Sequence, residues 1–175
     1  MQSNLEATKR QLKLLSALVE MRNLEALLAS ESPELSEQID FLPAKETFNR
    51  WAQDSETHRK ACQDMIEKLQ DKVRQTKAGS TVELNLGSPH VEKDIFAMFP
   101  ELKEDKLAMR ILYALVQKHL TIEGDAERRY AEMVEMTDDQ KIKNTLLDLS
   151  KCEKRHHTEA QTLIDALKKM LANKM

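Results

Sequence analysis

The fold is decided by residues 146–163, LLDLSKCEKRHHTEAQTL, a stretch without glycine or proline in which apolar residues recur at helical spacing. The apolar stripe consists of Leu146, Leu149, Ala160 and Leu163. Glu153 and His156 lie three positions apart on this same stripe, so both side chains leave the helix towards its apolar side. A carboxylate at such a place is costly unless it is paired, protonated or bound to a cation. This stretch therefore predicts a buried helix that carries a polar site.

Three further long stretches share the helical pattern, because the chain of 175 residues has only three glycines and four prolines. We expect helices over about 4–30, 45–77, 103–136 and 138–172, joined by a long connection over about 78–102. Aromatic residues, which are enriched in β-strands, make up only 4% of the chain, and this argues against a β-sheet. Two short connections and one long one are typical of two helical hairpins joined end to end. The sequence predicts a single-domain, all-α four-helix bundle with a long crossover between helices 2 and 3.

Local signals mark the expected helix ends. Pro33 and Pro43 predict a break between helices 1 and 2, with one helical turn between the prolines. The sequence TDDQ, at 137–140, has the form of a capping box, with Thr137 as the cap and Gln140 reaching back to it. These signals place the start of helix 4 at Asp138.

Composition argues against several classes of protein. The net charge is −3 with acidic and basic residues interleaved, which is not the pattern of a nucleic-acid or anionic-membrane partner. No apolar run is long enough for a membrane span, and the first residues are charged where a signal peptide needs an apolar stretch, so we expect a cytoplasmic protein. Cys62 and Cys152 form no CxxC pair, which argues against a zinc knuckle or a rubredoxin-type site.

Polar residues recur on the apolar stripes of the other three predicted helices. Glu123 lies among Val116, Leu120, Ala126 and Tyr130, and His58 among Trp51, Ser55, Ala61, Cys62 and Met65. Glu20 has Ser16, Ala17, Leu24 and Leu27 around it, which predicts that it also faces inwards. Glu56 has polar neighbours and should face water. Each helix thus brings a candidate ligand to the interior.

The candidate metal ligands are three carboxylates and two imidazoles: Glu20, His58, Glu123, Glu153 and His156. Carboxylates are hard oxygen donors and imidazole suits iron, manganese or zinc. Such a set, converging from four helices, predicts a site for a divalent metal ion.

Several of these features resemble the ferritin-like superfamily, and rubrerythrin-type proteins in particular, over nearly the whole chain. The resemblance is carried by the lone Glu20 and Glu123, by the Glu153-x-x-His156 pair, and by Tyr130 seven positions after Glu123. It implies a bundle that holds one or two iron ions, acts on peroxide or O₂ as an oxidoreductase, and assembles as a homodimer or larger homo-oligomer. The chain departs from the pattern in helix 2, where Ser55 stands three positions before His58 in place of the family's Glu.

The departure at Ser55 leaves an alternative open, namely a metal-free or degenerate bundle that works through oligomerisation or partner binding. Iron storage or delivery without turnover is a third possibility. The sequence does not assign roles to His119, His157 or Glu127, and the nine methionines fit a role in core packing.

Overall fold

The computed structural model describes residues 2–37, 39–76 and 105–173, which form four long helices. These are α1 (Gln2–Glu37), α2 (Leu42–Thr76), α3 (Asp105–Val134) and α4 (Gln140–Asn173). The prediction of an all-α four-helix bundle is confirmed. The expected crossover over 78–102 lies outside the described residues.

The bundle is built from two helical hairpins. Helix α1 packs along α2, and α3 packs along α4, while the hairpins meet through α2 against α4 and α1 against α3. Contacts between α2 and α4 pair early residues of one with late residues of the other, as in Trp51 with Glu159 and Lys68 with Asp139. The two helices are therefore antiparallel, and α2 and α3 run in the same direction, as a long crossover between them requires.

Two apolar clusters fill the interior on either side of a polar layer. One contains Leu14, Leu18, Met65, Ile66, Met133 and Leu146, and the other contains Phe48, Trp51, Leu112, Val116, Ile164 and Leu167. Aliphatic and sulfur-containing side chains dominate, as the low aromatic content predicted. None of the helices in the described ranges is both long and apolar enough to cross a bilayer.

The helices break between Pro33 and Pro43, but the predicted end of helix 1 near residue 30 is wrong, because α1 continues through Pro33 to Glu37. A proline inside a helix removes one backbone hydrogen bond and so normally shortens the helix. Here the additional turn buries Ser32 and Ser36, and the Ser36 hydroxyl donates a hydrogen bond to the Pro33 carbonyl. Pro43 lies in the first turn of α2, where its missing N–H has no helical partner in any case.

The predicted cap of helix 4 is also wrong by two residues. The Asp139 carboxylate accepts hydrogen bonds from the amides of Lys141 and Ile142, at 3.0 and 3.2 Å. Thr137 instead accepts a hydrogen bond from the Asp139 amide, which orients the true cap. Asp139 also forms ion pairs with lysines of α2, so this residue joins the start of α4 to the end of α2.

Candidate metal centre

Four of the five predicted ligands meet in the polar layer at the middle of the bundle. His58 comes from α2, Glu123 from α3, and Glu153 and His156 from α4, and all four side chains are buried. The helical spacing that placed them on apolar stripes therefore assigned their directions correctly. Glu56 lies at the surface beside Arg59, also as predicted.

The predicted inward direction of Glu20 is wrong. Its side chain is 61% exposed and forms an ion pair with Arg129 of α3, at 3.1 Å. The interior position on α1 belongs to Glu25, which is 1% exposed and lies on the stripe of Leu14, Leu18, Met21 and Leu28. Residues 16, 17, 24 and 27, which suggested an inward Glu20, are only half-buried or exposed. Helix α1 thus supplies a carboxylate, five residues later than expected.

A first group of donors consists of Glu25, His58 and Glu153, which we call the His58 position. The Nδ1 atom of His58 lies 2.6 Å from Oε1 of Glu153 and 3.4 Å from Oε1 of Glu25. The Tyr130 hydroxyl donates a hydrogen bond to the same Glu25 oxygen at 2.8 Å, which fixes the direction of this carboxylate.

A second group consists of Glu123, Glu153 and His156, which we call the His156 position. The Nδ1 atom of His156 lies 3.4 Å from Oε2 of Glu123 and 3.3 Å from Oε2 of Glu153. Glu153 thus turns one carboxylate oxygen towards each histidine. The two imidazole rings are stacked with centroids 5.9 Å apart, so the two positions are neighbours that share one carboxylate.

The directions of these donor atoms fit a cation. Among the buried atoms without a hydrogen-bond partner are Oε2 of Glu25, Nδ1 of His58, Oε2 of Glu123 and Oε1 of Glu153. Buried polar atoms in folded proteins are nearly always hydrogen-bonded. Apart from Oε2 of Glu25, these atoms contact other members of the two groups, as Nδ1 of His58 contacts Oε1 of Glu153 and Oε2 of Glu123 contacts Nδ1 of His156. Within each group the donor atoms lie within 4.8 Å of one another, so they can converge on one ion. The residues present fit a bound metal.

Without a cation, protons balance the buried carboxylates. Burial opposes a charge on His58, but its hydrogen bonds with Cys152, Glu153 and Glu25 outweigh this effect and raise its pKa to about 12. The pKa of His156 is raised above its usual range in the same way, by Cys152, Glu123 and Glu153 against burial. Burial raises the pKa of Glu153 to about 8, although hydrogen bonds from both histidines act in the other direction. The metal-free centre therefore holds protons that a cation would displace.

The outer side of the histidines contacts two residues outside the predicted ligand set, Asp54 and Cys152. The Nε2 atom of His156 lies 2.9 Å from Oδ2 of Asp54, on α2. Asp54 therefore does not replace the missing carboxylate at Ser55, which is itself buried. Cys152 is a hydrogen-bond partner of His58, and its sulfur lies 3.6 Å from Nε2 of His156. The Arg155 guanidinium donates to both Asp54 and Cys152, at 2.7 and 3.1 Å.

Aromatic side chains close the layer on both sides. Trp51 is fully buried with its ring centroid 6.1 Å from that of His156, and its indole N–H donates to Glu159 at 2.8 Å. His119 packs edge-on against Phe48. On the other side the Cys62 sulfur lies 3.5 Å from the Tyr130 hydroxyl, and burial raises the pKa of the Cys62 thiol to about 12. Bulk water is thus kept away from the donor atoms.

An internal repeat relates the two hairpins, and it is the signal that could have identified Glu25. Buried residues of α1 and α2 correspond to buried residues of α3 and α4 at a constant separation of 98 positions. Corresponding pairs include Leu18 with Val116, Glu25 with Glu123, Ser32 with Tyr130, Ser55 with Glu153, and His58 with His156. Glu25 precedes His58 by the same 33 positions that separate Glu123 from His156, whereas Glu20 precedes His58 by 38.

Comparisons of the chain with protein-family models, with curated proteins and with solved structures give no match. The assignment of a function therefore depends on the geometry of this centre.

Proposed function

We propose that this protein is a metalloprotein whose buried centre binds one or two divalent metal ions, with iron as the physiological ion, in the manner of the ferritin-like proteins that it resembles. The observation that supports this proposal best is the convergence of buried carboxylates and imidazoles from all four helices: Glu25, His58, Glu123, Glu153 and His156. Manganese and zinc also suit this donor set.

Bound iron would supply electrons for the reduction of peroxide or O₂, and the residues around the centre fit this chemistry. Tyr130 orients Glu25 by donating a hydrogen bond to it, and Asp54 orients His156 through its outer nitrogen. Phe48, Trp51 and His119 exclude water, which strengthens every electrostatic interaction in the centre. The chain carries no electron-carrying cysteine motif of its own, so a separate donor would return the electrons.

Metal analysis of protein prepared without a polyhistidine tag tests the binding part of the proposal. We expect at least about one iron, manganese or zinc ion per chain after expression in iron-replete cells, and loss of this metal in the double variant His58→Gln, His156→Gln. Glu56→Ala is the matched control, because this glutamate lies at the surface of α2. Metal content below about a tenth of an equivalent in the parent protein would refute the proposal.

The redox part is tested by the consumption of hydrogen peroxide, measured with iron-loaded protein and a reductant. We expect turnover that the metal-free protein and the double histidine variant lack. If the protein binds metal but consumes neither peroxide nor O₂, the metal-site proposal stands and the oxidoreductase proposal is refuted. Iron storage or delivery would then be the remaining function for the site.

The alternative function is a metal-free bundle that acts through oligomerisation or partner binding, and Ser55 favours it because the usual carboxylate is missing there. The two proposals differ in their thermal behaviour. A ligand that binds only the folded state raises the melting temperature. If iron, manganese, zinc and chelator all leave the melting temperature unchanged, the result would support the metal-free bundle that acts through oligomerisation or partner binding.

A further inference from the structure

The internal repeat brings Asp54 and Cys152 into corresponding places. Asp54 lies four residues before His58, and Cys152 lies four residues before His156. Asp54 of α2 lies beside His156 of the antiparallel helix α4, whereas the Cys152 thiol lies between the two histidines and interacts with both. A symmetrical centre would have the same residue at both places, and this chain does not.

Contacts at the two histidines differ accordingly. His156 has a carboxylate oxygen of Asp54 at 2.9 Å from its outer nitrogen. Among the contacts of the described residues, the carboxylates beside His58 are those of Glu25 and Glu153, both at its inner nitrogen Nδ1. The Cys152 thiol interacts with His58, but its sulfur also lies 3.6 Å from Nε2 of His156. Arg155 contacts both Asp54 and Cys152, so its charge acts on the two places together.

A carboxylate is a much stronger hydrogen-bond acceptor than a thiol. When it accepts the outer N–H of a ligating histidine, it fixes the ring and the tautomer and makes the inner nitrogen a better donor to a metal. Loss of such a partner typically weakens metal binding 10- to 100-fold. The His156 position has this support, and the His58 position lacks it.

We propose that Asp54 and Cys152 make the two metal positions unequal, so that the His156 position binds a divalent ion more tightly and fills first. This inference rests on the proposed metal function. The two residues are positioning residues that act through the histidines, and neither is placed among the inner donors. Exchanging them should abolish the preference for the His156 position.

The experiment measures Co²⁺ affinity at each position separately, by titration of its visible absorption. His58→Gln leaves the His156 position, and His156→Gln leaves the His58 position. We expect the dissociation constant of the first variant to be lower by about 10- to 100-fold. The exchange Asp54→Cys with Cys152→Asp, introduced into both backgrounds, should bring this ratio close to one, because a carboxylate at position 152 lies beside both histidines. Tyr130 and Arg155 are unchanged by the exchange, so their effects cancel in the comparison.

Two results would overturn the inference while leaving the metal function standing: equal Co²⁺ affinities in the two single-position variants, or a ratio that the exchange does not alter. A parent protein that binds no Co²⁺ would overturn the proposed function itself. Circular dichroism confirms the fold of each variant. If either glutamine variant fails to fold, the exchange is introduced into the chain with both histidines, and the ratio of the first and second binding constants is measured instead. An unchanged ratio there would also refute the inference.

Discussion

Replacement of Glu25 by glutamine, compared with the same replacement at Glu20, tests the direction of α1 and the ligand set together. The two glutamates lie on one helix five residues apart, but Glu25 is buried beside His58 whereas Glu20 is exposed beside Arg129. Glu25→Gln removes the negative charge of one of three donor residues at the His58 position, while the amide oxygen can still accept the Tyr130 hydrogen bond. Glu20→Gln breaks only a surface ion pair, worth about 0 to 1 kcal/mol.

The expected magnitude follows from the linkage between binding and folding. At a metal concentration of 100 times the dissociation constant, one bound ion stabilises the folded state by about 2.7 kcal/mol. If loss of Glu25 weakens binding on the order of a hundredfold, the same metal concentration stabilises the variant by only about 0.4 kcal/mol. The difference of about 2.3 kcal/mol corresponds to about 5 to 9 °C in melting temperature for a domain of this size.

The assay is thermal unfolding followed by circular dichroism, with Co²⁺ and with chelator, for the parent and both variants. We expect the metal-induced rise in melting temperature to be nearly unchanged in Glu20→Gln and much reduced in Glu25→Gln. Equal rises in the two variants would refute the assignment of Glu25 to the centre. A reduced rise in Glu20→Gln alone would show that α1 presents the other face to the interior.

Three further predictions follow from the same contacts. Metal binding should release protons and strengthen as pH rises, because His58 and His156 are protonated in the metal-free centre and Glu153 keeps its proton up to a pKa of about 8. Calorimetry in buffers of different ionisation enthalpy measures the number of protons released, and metal binding without proton release would contradict the protonated centre. Asp139→Ala should lower the unfolding free energy by about 1 kcal/mol through loss of the helix cap, and Asp139→Asn by less. Because contacts with Lys72 and Lys68 of α2 hold the pKa of Asp139 below its ordinary value, the part of its stabilisation that Asp139→Asn removes is complete above the ordinary pKa of an aspartate and is lost progressively as pH falls from there towards the lowered pKa of the folded state. Urea unfolding that gives the same difference at pH 7 and at pH 2.5 would count against the ion-pair contribution. Ser55→Glu should add a carboxylate to the centre and raise the metal stoichiometry towards two per chain, as measured by metal analysis, and no gain in a folded variant would show that the second ion is not limited by Ser55.

The sequence predicted the fold and most of the centre because both depend on the direction of side chains around regular helices. His58, Glu123, Glu153 and His156 lie on helices with one clear apolar stripe, so periodicity assigned them correctly. Helix α1 is different, since residues such as Val19, Leu24 and Leu27 are half-buried outside its core stripe. Apolar neighbours therefore surround several of its positions, and local spacing could not separate Glu20 from Glu25.

The errors at Pro33 and Thr137 have another origin. Each local signal competes with a tertiary contact that the sequence does not display. At the end of α1 the Ser36 hydroxyl forms a hydrogen bond with Asn49 of α2 at 2.7 Å, a contact that favours continuation of the helix past Pro33. Asp139 gains ion pairs with α2 in addition to its capping bonds, which favours it over Thr137. The outer contacts of Asp54 and Cys152 likewise depend on how α2 and α4 are placed against each other.

The position of Trp51 gives the protein an internal optical reporter. It is the only tryptophan in the chain, it is fully buried, and its ring lies 6.1 Å from that of His156. Its fluorescence therefore comes from a single, buried site beside the candidate centre. An open-shell ion such as Fe²⁺ or Co²⁺ at the His156 position would quench this emission, whereas closed-shell Zn²⁺ would leave it bright. Binding of an open-shell ion at the His156 position can thus be followed in the unlabelled protein through the intrinsic fluorescence of Trp51.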